Sequence, residues 1–213
     1  MTFNQFTYVL KGRTLFRNGD VDVGDRRLSL WCSAGLIVRL AKGLYRLAKH
    51  DAYDPFELAA PLSPRSYITS WSALEYCGFL SKSYRGPLIS AHEGRAFERE
   101  IEGRVYRFLK IRNCESRQVV RYGEFSFAVA DPYTAVLDLC HRREPPLQRS
   151  TPIRYEFFDT EYLLARLLET RQSSKRRAIG RLLALARLYQ KQKLGVLRGQ
   201  PRGVSTFSPD ENP

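Results

Sequence analysis

Long apolar runs, paired cysteines, clustered histidines and a glycine-rich phosphate loop are all missing from this chain. Each absence removes a class of function. No apolar stretch approaches the roughly 18 residues of a membrane-spanning helix. The longest candidates, residues 28–40 and 181–188, are broken by charge or by glycine. Residues Met1–Leu10 show no basic segment followed by an apolar one, which predicts no signal peptide. Cys32, Cys77, Cys114 and Cys140 stand far apart, without paired spacing. That spacing argues against a zinc motif or a disulfide framework and for reduced thiols in the cytoplasm.

Catalytic signatures are equally scarce. His50, His92 and His141 have no second histidine at metal-ligand spacing, so each reads as structural or superficial. Gly12, Gly19 and Gly24 are too scattered for a nucleotide fingerprint. Ser72 lies in no nucleophile-elbow context. A nuclease would need carboxylates converging on a metal. The densest group, Glu93, Glu98, Glu100 and Glu102, is interspersed with Arg95, Arg99, Arg104 and Arg107, a pattern of charge pairing on a surface strand. The sequence therefore predicts no catalytic residues, no metal and no cofactor.

What the chain does have is positive charge. Of its 213 residues, 43% are hydrophobic and 12% aromatic, enough for a folded core. Lys and Arg number 35 against 22 Asp and Glu, a formal net charge of +13. The excess sits at the two ends: +6 over residues 1–50 and +8 over residues 171–213, with zero over 51–110 and −1 over 111–170. A partition of this kind points to phosphate contacts at both ends.

In the first fifty residues, Phe3, Phe6, Val9 and Leu10 have helical spacing, Gly12 stops the helix, and Asn18-Gly19-Asp20 signals a turn. Asp25 reads as an N-cap or first-turn acid. Leu28, Leu30, Trp31 and Ala34 follow it, Arg26, Arg27 and Ser29 lie largely on the other face, and Gly35 is the C′ residue. Leu36–Leu40 and Leu44–Leu47, joined by Ala41-Lys42-Gly43, form a hairpin. Helix, turn, polar-faced helix and hairpin is the layout of a winged helix-turn-helix. Arg26, Arg27 and Ser29 are the candidates for base edges or phosphate, and Arg39, Lys42 and Arg46 on the hairpin for backbone phosphates. A small domain with merely solvated charge, or a protein-docking winged helix, fits the same pattern.

The middle reads as helices at Pro55–Ala60, ended by Pro61 and Pro64, and after a Thr69 or Ser70 cap with Trp71, Leu74 and Cys77 or Gly78 inward. Strand-like segments follow at 88–90, 104–109 and 125–129, with a turn at Gly123-Glu124, and make a small mixed sheet. Asp131-Pro132 starts a helix to His141 with Ala135, Val136 and Leu139 inward and Asp138 solvated or salt-bridged, contact with a partner being the alternative. Two helices close the chain. The first runs from Phe157 to Thr170, with Phe158, Tyr162, Ala165 and Leu167 or Leu168 on one face. The second runs from about Lys175 to Lys193, with Ile179, Leu182, Leu183, Ala186 and Tyr189 or Leu188 inward. It carries no acid, so its like charges repel. Lys175, Arg176, Arg177 and Arg181 are candidate anion-binding residues there, the alternatives being a solubilising face or a membrane-surface helix. Residues 200–213 read as a flexible tail.

Three segments carry a family resemblance. They are Gly35–Tyr45 in the hairpin; Leu58-Ala59 with Ser66–Leu74 and Cys77-Gly78-Phe79; and Val129–Leu139. In order and spacing they resemble the AbiEi antitoxins of the AbiE (abortive infection) toxin–antitoxin systems, over about residues 1–145. Tyr133 stands where that family often has Glu, and the C-terminal part is shorter. The resemblance implies an N-terminal winged helix-turn-helix that binds inverted repeats in its own promoter and represses it. It also implies a C-terminal antitoxin domain that counteracts a nucleotidyltransferase-like toxin in a type IV system, without need of direct contact.

The combined expectation is an α+β, non-enzymatic, cytoplasmic DNA-binding antitoxin and autorepressor acting in phage defence. Its domains are 1–53 (winged helix-turn-helix), 54–199 (mixed α/β antitoxin domain ending in basic helices) and 200–213 (tail). Its partners are double-stranded DNA and a cognate toxin, with no membrane. A module that sequesters the toxin directly, or an RNA-binding protein, is the alternative.

Overall fold

Thr2 and Gln5 open the first helix, α1 (Phe3–Val9), with a capping box. The Thr2 hydroxyl accepts from the Gln5 amide at 3.3 Å, and the Gln5 side chain accepts from the Thr2 amide at 2.8 Å. The computed structural model describes residues 1–49, 53–111, 117–122, 125–141, 147–148 and 150–199. Among them it is α+β, with seven α-helices and two sheets. After α1, Lys11 and Gly12 take left-handed φ angles of 47° and 85°. β1 (Leu15–Arg17) follows, too short for its alternation to show in the sequence. Asn18–Asp20 is a single 3-10 turn.

In α2 (Asp25–Ser33) the N-cap is Gly24, and Asp25 lies in the first turn, where its charge complements the helix dipole. Gly35, at φ 65°, ends the helix. β2 (Ile37–Ala41) and β3 (Leu44–Leu47) then pair. Ala41 lies opposite Leu44, so the loop is the two residues Lys42 and Gly43 rather than the three expected. β1 pairs with the other side of β3, which makes an antiparallel sheet of order β1-β3-β2. Helices and sheet close on Phe6, Phe16, Leu28, Trp31, Ile37 and Tyr45. The Phe6 ring stands 5.0 Å from that of Phe16 and 4.7 Å from that of Trp31. Aromatic pairs at this spacing add about 0.5–1.5 kcal/mol beyond the area they bury.

A second sheet follows. α3 (Pro55–Leu62) is capped by Asp54, which accepts from the Phe56 amide at 2.9 Å. It runs through Pro61, past the end expected at Ala60, because a proline in the last turn forgoes only one amide bond. The remaining elements are β4 (Tyr67–Ile68), α4 (Ser70–Tyr76), β5 (Leu88–His92), β6 (Phe97–Ile101), β7 (Arg104–Lys110), β8 (Arg117–Tyr122), β9 (Phe125–Ala130) and α5 (Pro132–His141). The turn expected at 123–124 lies outside the described residues.

The strand order is β6-β7-β5-β4-β9-β8; β4 runs parallel to β9 and β5 parallel to β7, and the other pairs are antiparallel. Adjacent residues of β4 face opposite sides of the sheet. On the Ile68 side, α3 brings Phe56 against Phe127 and its C-cap Ser63 to His92 at 3.1 Å. On the Tyr67 side, α5 brings Asp138 to the Tyr67 hydroxyl at 3.1 Å. The sheet is thus covered on both faces.

Asp138 is only 8% exposed and also accepts from the Thr69 hydroxyl at 2.5 Å. This corrects the expectation of a solvated Asp138, and it explains why Thr69, though in the N-cap position of α4, makes no side-chain cap bond. Ala73 and Leu74 are the buried apolar residues of α4, while Trp71 is half-buried and stacks on Tyr84. Asp131 caps α5 as expected, accepting from the Tyr133 and Thr134 amides at 2.9 and 3.1 Å.

The chain divides into two compact units, Met1–Glu144 and Pro145–Pro213. The boundary read from the sequence at 53/54 falls inside the first. In the second, Tyr155–Phe157 forms a 3-10 turn, and Asp159 caps α6 (Thr160–Glu169), so the helix starts three residues later than expected. Its inward residue is Leu163, while Tyr162 and Leu168 of the expected inner face are exposed, Leu168 at 71%. Leucines at 163, 164, 167 and 168 surround this helix, so periodicity alone did not choose the face. α7 (Ser173–Gly199) buries Ile179, Leu182, Leu183 and Ala186, as expected, and packs against α6. Of the two candidates that close this inner face, Tyr189 is the one turned inward, its ring 5.4 Å from that of the buried Tyr155, while Leu188 lies on the other side. The tail expected over 200–213 lies outside the described residues.

Candidate nucleic-acid interface

α2 turns Leu28 and Trp31 into the N-terminal core and leaves the opposite face to solvent. At 3.6 residues per turn, that exposed stripe is Arg26, Ser29, Leu30 and Ser33, spaced i, i+3, i+4, i+7. Arg26 is exposed and makes no hydrogen bond or ion pair among the described residues. Arg27 stands to the side, its guanidinium donating to the Met1 carbonyl at 3.0 Å. Its reach is thereby committed to the start of α1. Ser33 donates to the Ser29 carbonyl at 3.1 Å. Leu30, placed by the sequence reading among the apolar residues of the helix, is 61% exposed and belongs to this outer stripe. Its spacing from Arg26 was the available signal.

The hairpin adds two exposed cations. Lys42 is exposed in the loop, and Arg39 is exposed on β2, donating to the Ala41 carbonyl at 3.4 Å. Arg39 also stands close to α2. Burial raises the pKa of the Cys32 thiol, and the Arg39 charge partly offsets that rise. The structure thus brings Arg39 beside the helix that carries Arg26.

Arg46 differs from its neighbours. Its side chain is 14% exposed and pairs with Glu102 at 2.6 Å. It also donates to the Leu47 carbonyl at 3.1 Å. Glu102 lies in the β6–β7 turn, so this guanidinium meets that turn rather than open solvent. Tyr53 joins the cluster; burial and a hydrogen bond to Glu102 raise its hydroxyl pKa. Beside it the Tyr106 hydroxyl is pushed far up, chiefly by burial. Arg46 is therefore a strut between the two sheets of the first unit, not an open phosphate ligand. Glu98 is likewise paired, with Arg107 across the β6–β7 ladder.

On α7, Arg176, Arg177 and Arg181 are exposed, and Lys175 is half-buried. Among the described residues no group of three or more His, Cys, Asp or Glu is placed to hold a metal ion. No described helix is long and apolar enough to cross a membrane. His92 is fixed structurally by Ser63 and by the Arg95 carbonyl at 3.0 Å. No family model matches the chain, and no curated protein matches it.

Proposed function

We propose that the chain is a DNA-binding antitoxin that represses its own promoter, with residues 1–49 as a winged helix-turn-helix. The observation that carries the DNA reading is the sheet order β1-β3-β2 behind a helix whose outer stripe is Arg26, Ser29, Leu30 and Ser33. Helix, strand, turn, helix and hairpin in this order supports a winged-helix reading, in which the helix before the hairpin enters the major groove. Arg26 then pairs with guanine O6 and N7, Ser29 bonds a base edge or phosphate, and Leu30 supplies an apolar contact of the kind that reads a thymine methyl. Lys42 and Arg39 neutralise backbone phosphates. The antitoxin role rests on the resemblance of the hairpin, the Ser66–Leu74 segment and the Val129–Leu139 segment to AbiEi proteins. The buried Asp138, held by Tyr67 and Thr69, supports it by tying two of those segments into one structural unit.

The test is a gel shift with DNA from upstream of the protein's own reading frame, against unrelated duplex as competitor, at physiological salt. The expected outcome is a complex that survives the competitor. Lys42→Ala should weaken binding to all sequences alike and lower the salt slope by about 1. A complex erased by competitor removes the repressor role.

A further inference from the structure

We propose that α7 and the segment Leu147–Gln148 form a docking groove for an acidic amphipathic helix of a partner protein. The inference does not rest on the DNA reading, since it uses only the second unit.

A surface helix of a globular protein ordinarily has one apolar stripe. α7 has two. The first, Ile179, Leu182, Leu183 and Ala186, is buried. The second, Ala184, Leu185 and Leu188, lies on the other side of the helix, where Leu185 and Leu188 are half-buried and Ala184 is exposed. It continues the line of Arg177 and Arg181 at spacings i, i+4, i+7, i+8 and i+11. With Leu147 and Gln148 these residues line an open groove of about 460 Å³. An apolar floor read through anchors at i, i+3 or i+4 and i+7 is the form that takes a helix.

Charge selects the occupant. α7 contains eight Lys and Arg and no Asp or Glu. Arg176 and Arg177 lie near its N-terminus, where the helix dipole already repels cations. That arrangement costs stability when unoccupied, and an acidic ligand relieves it. A second copy of this chain would place like charges together. Phosphodiester gains nothing from the leucine floor, and among the described residues no aromatic ring lines the groove for bases to stack on.

The test displays a library of helical peptides with a fixed leucine stripe and randomised flanks to the full-length protein, in parallel with Leu188→Glu. Enrichment of Asp and Glu at the flanks on the wild-type chain only is expected. A peptide chosen from that pool should lose at least about tenfold in affinity with Leu188→Glu and several-fold with Arg181→Glu. The gel shift should be unchanged in Leu188→Glu. Arg181 is exposed, so its variant keeps the fold in play even where circular dichroism shows Leu188→Glu to be unfolded. Flanks without acidic bias, no enrichment at all, or acidic peptides held equally by both variants would overturn the proposal. So would displacement of the peptide by duplex DNA, with Arg181→Glu and not Leu188→Glu weakening the DNA complex.

Discussion

The two basic ends of this chain carry nearly the same excess charge, +6 over residues 1–50 and +8 over 171–213, and hold it on different surfaces. At the N-terminal end the cations stand beside small polar side chains. α2 buries one stripe and shows Arg26, Ser29, Leu30 and Ser33 on the other, and the hairpin adds Arg39 and Lys42. At the C-terminal end Arg177 and Arg181 stand in line with a second leucine stripe over a groove. Net charge names an anionic partner in both cases, but what lies between the charges separates a phosphate backbone from a carboxylate-bearing helix. Guanidinium groups among serines offer hydrogen bonds to base edges. Guanidinium groups around leucines offer desolvation, which an apolar partner surface uses and a phosphate does not.

The strongest way to break this comparison is to remove one core at a time. Phe6→Ala should cost about 3–5 kcal/mol and abolish the gel shift, because Phe6 joins the rings of Phe16 and Trp31 beneath α2. Ile179→Ala should cost about 2–5 kcal/mol, lower the melting temperature and leave the shift intact. Loss of the shift in both variants would mean that the ends act as one surface.

A finer cut is Arg26→Ala. It should weaken binding to the specific sequence by about 1–3 kcal/mol and relax preference at one base position. A uniform loss on all sequences in a binding titration would move Arg26 into the phosphate-contacting set with Lys42.

Smaller still is the Arg46–Glu102 bridge. Arg46→Ala and Glu102→Ala should each change thermal stability by about 1 kcal/mol or less, given the partial exposure of the pair. Neither should alter the salt dependence of DNA binding. A reduced salt slope in Arg46→Ala alone would return that residue to the phosphate contacts.

The smallest effect concerns Glu57 in α3. Burial, and then the charge of Asp54, raise its pKa above the ordinary value. A raised carboxylate pKa means that the folded chain holds the proton more tightly than the unfolded chain. The stability so gained is present below the ordinary carboxylate range and is lost as pH rises through the folded-state value. Glu57→Gln should therefore melt higher than wild type at neutral pH and converge with it in acid. Equal melting at both ends of the range would place Glu57 in water.

Legibility in the sequence followed the reach of the signal. The hairpin, the α5 cap at Asp131 and the inner stripe of α7 were readable because cap, turn and period lie within a few residues. β1 and β4 were not, since strands of three and two residues show no alternation and exist only through partners far along the chain. β4 occupies the middle of the six-stranded sheet, so the segment read simply as leading into a helix is central to the sheet. The candidate site was legible as a set of cations, and the structure sorted them. Arg26, Arg39 and Lys42 are left open, Arg27 is turned to Met1 and Arg46 to Glu102, and Leu30 is added.

Composition and local pattern by themselves determined that this protein folds, that its charge gathers at its ends, and that helices, caps and the hairpin stand where they do. Those properties depend on neighbouring residues, whose geometry the backbone period sets. Tertiary structure alone decided which side of a leucine-rich helix faces inward, which arginine meets a carboxylate, and that Asp138 is buried between two hydroxyl groups. These are contacts between residues distant in sequence, and only the closing of the sheets selects among them.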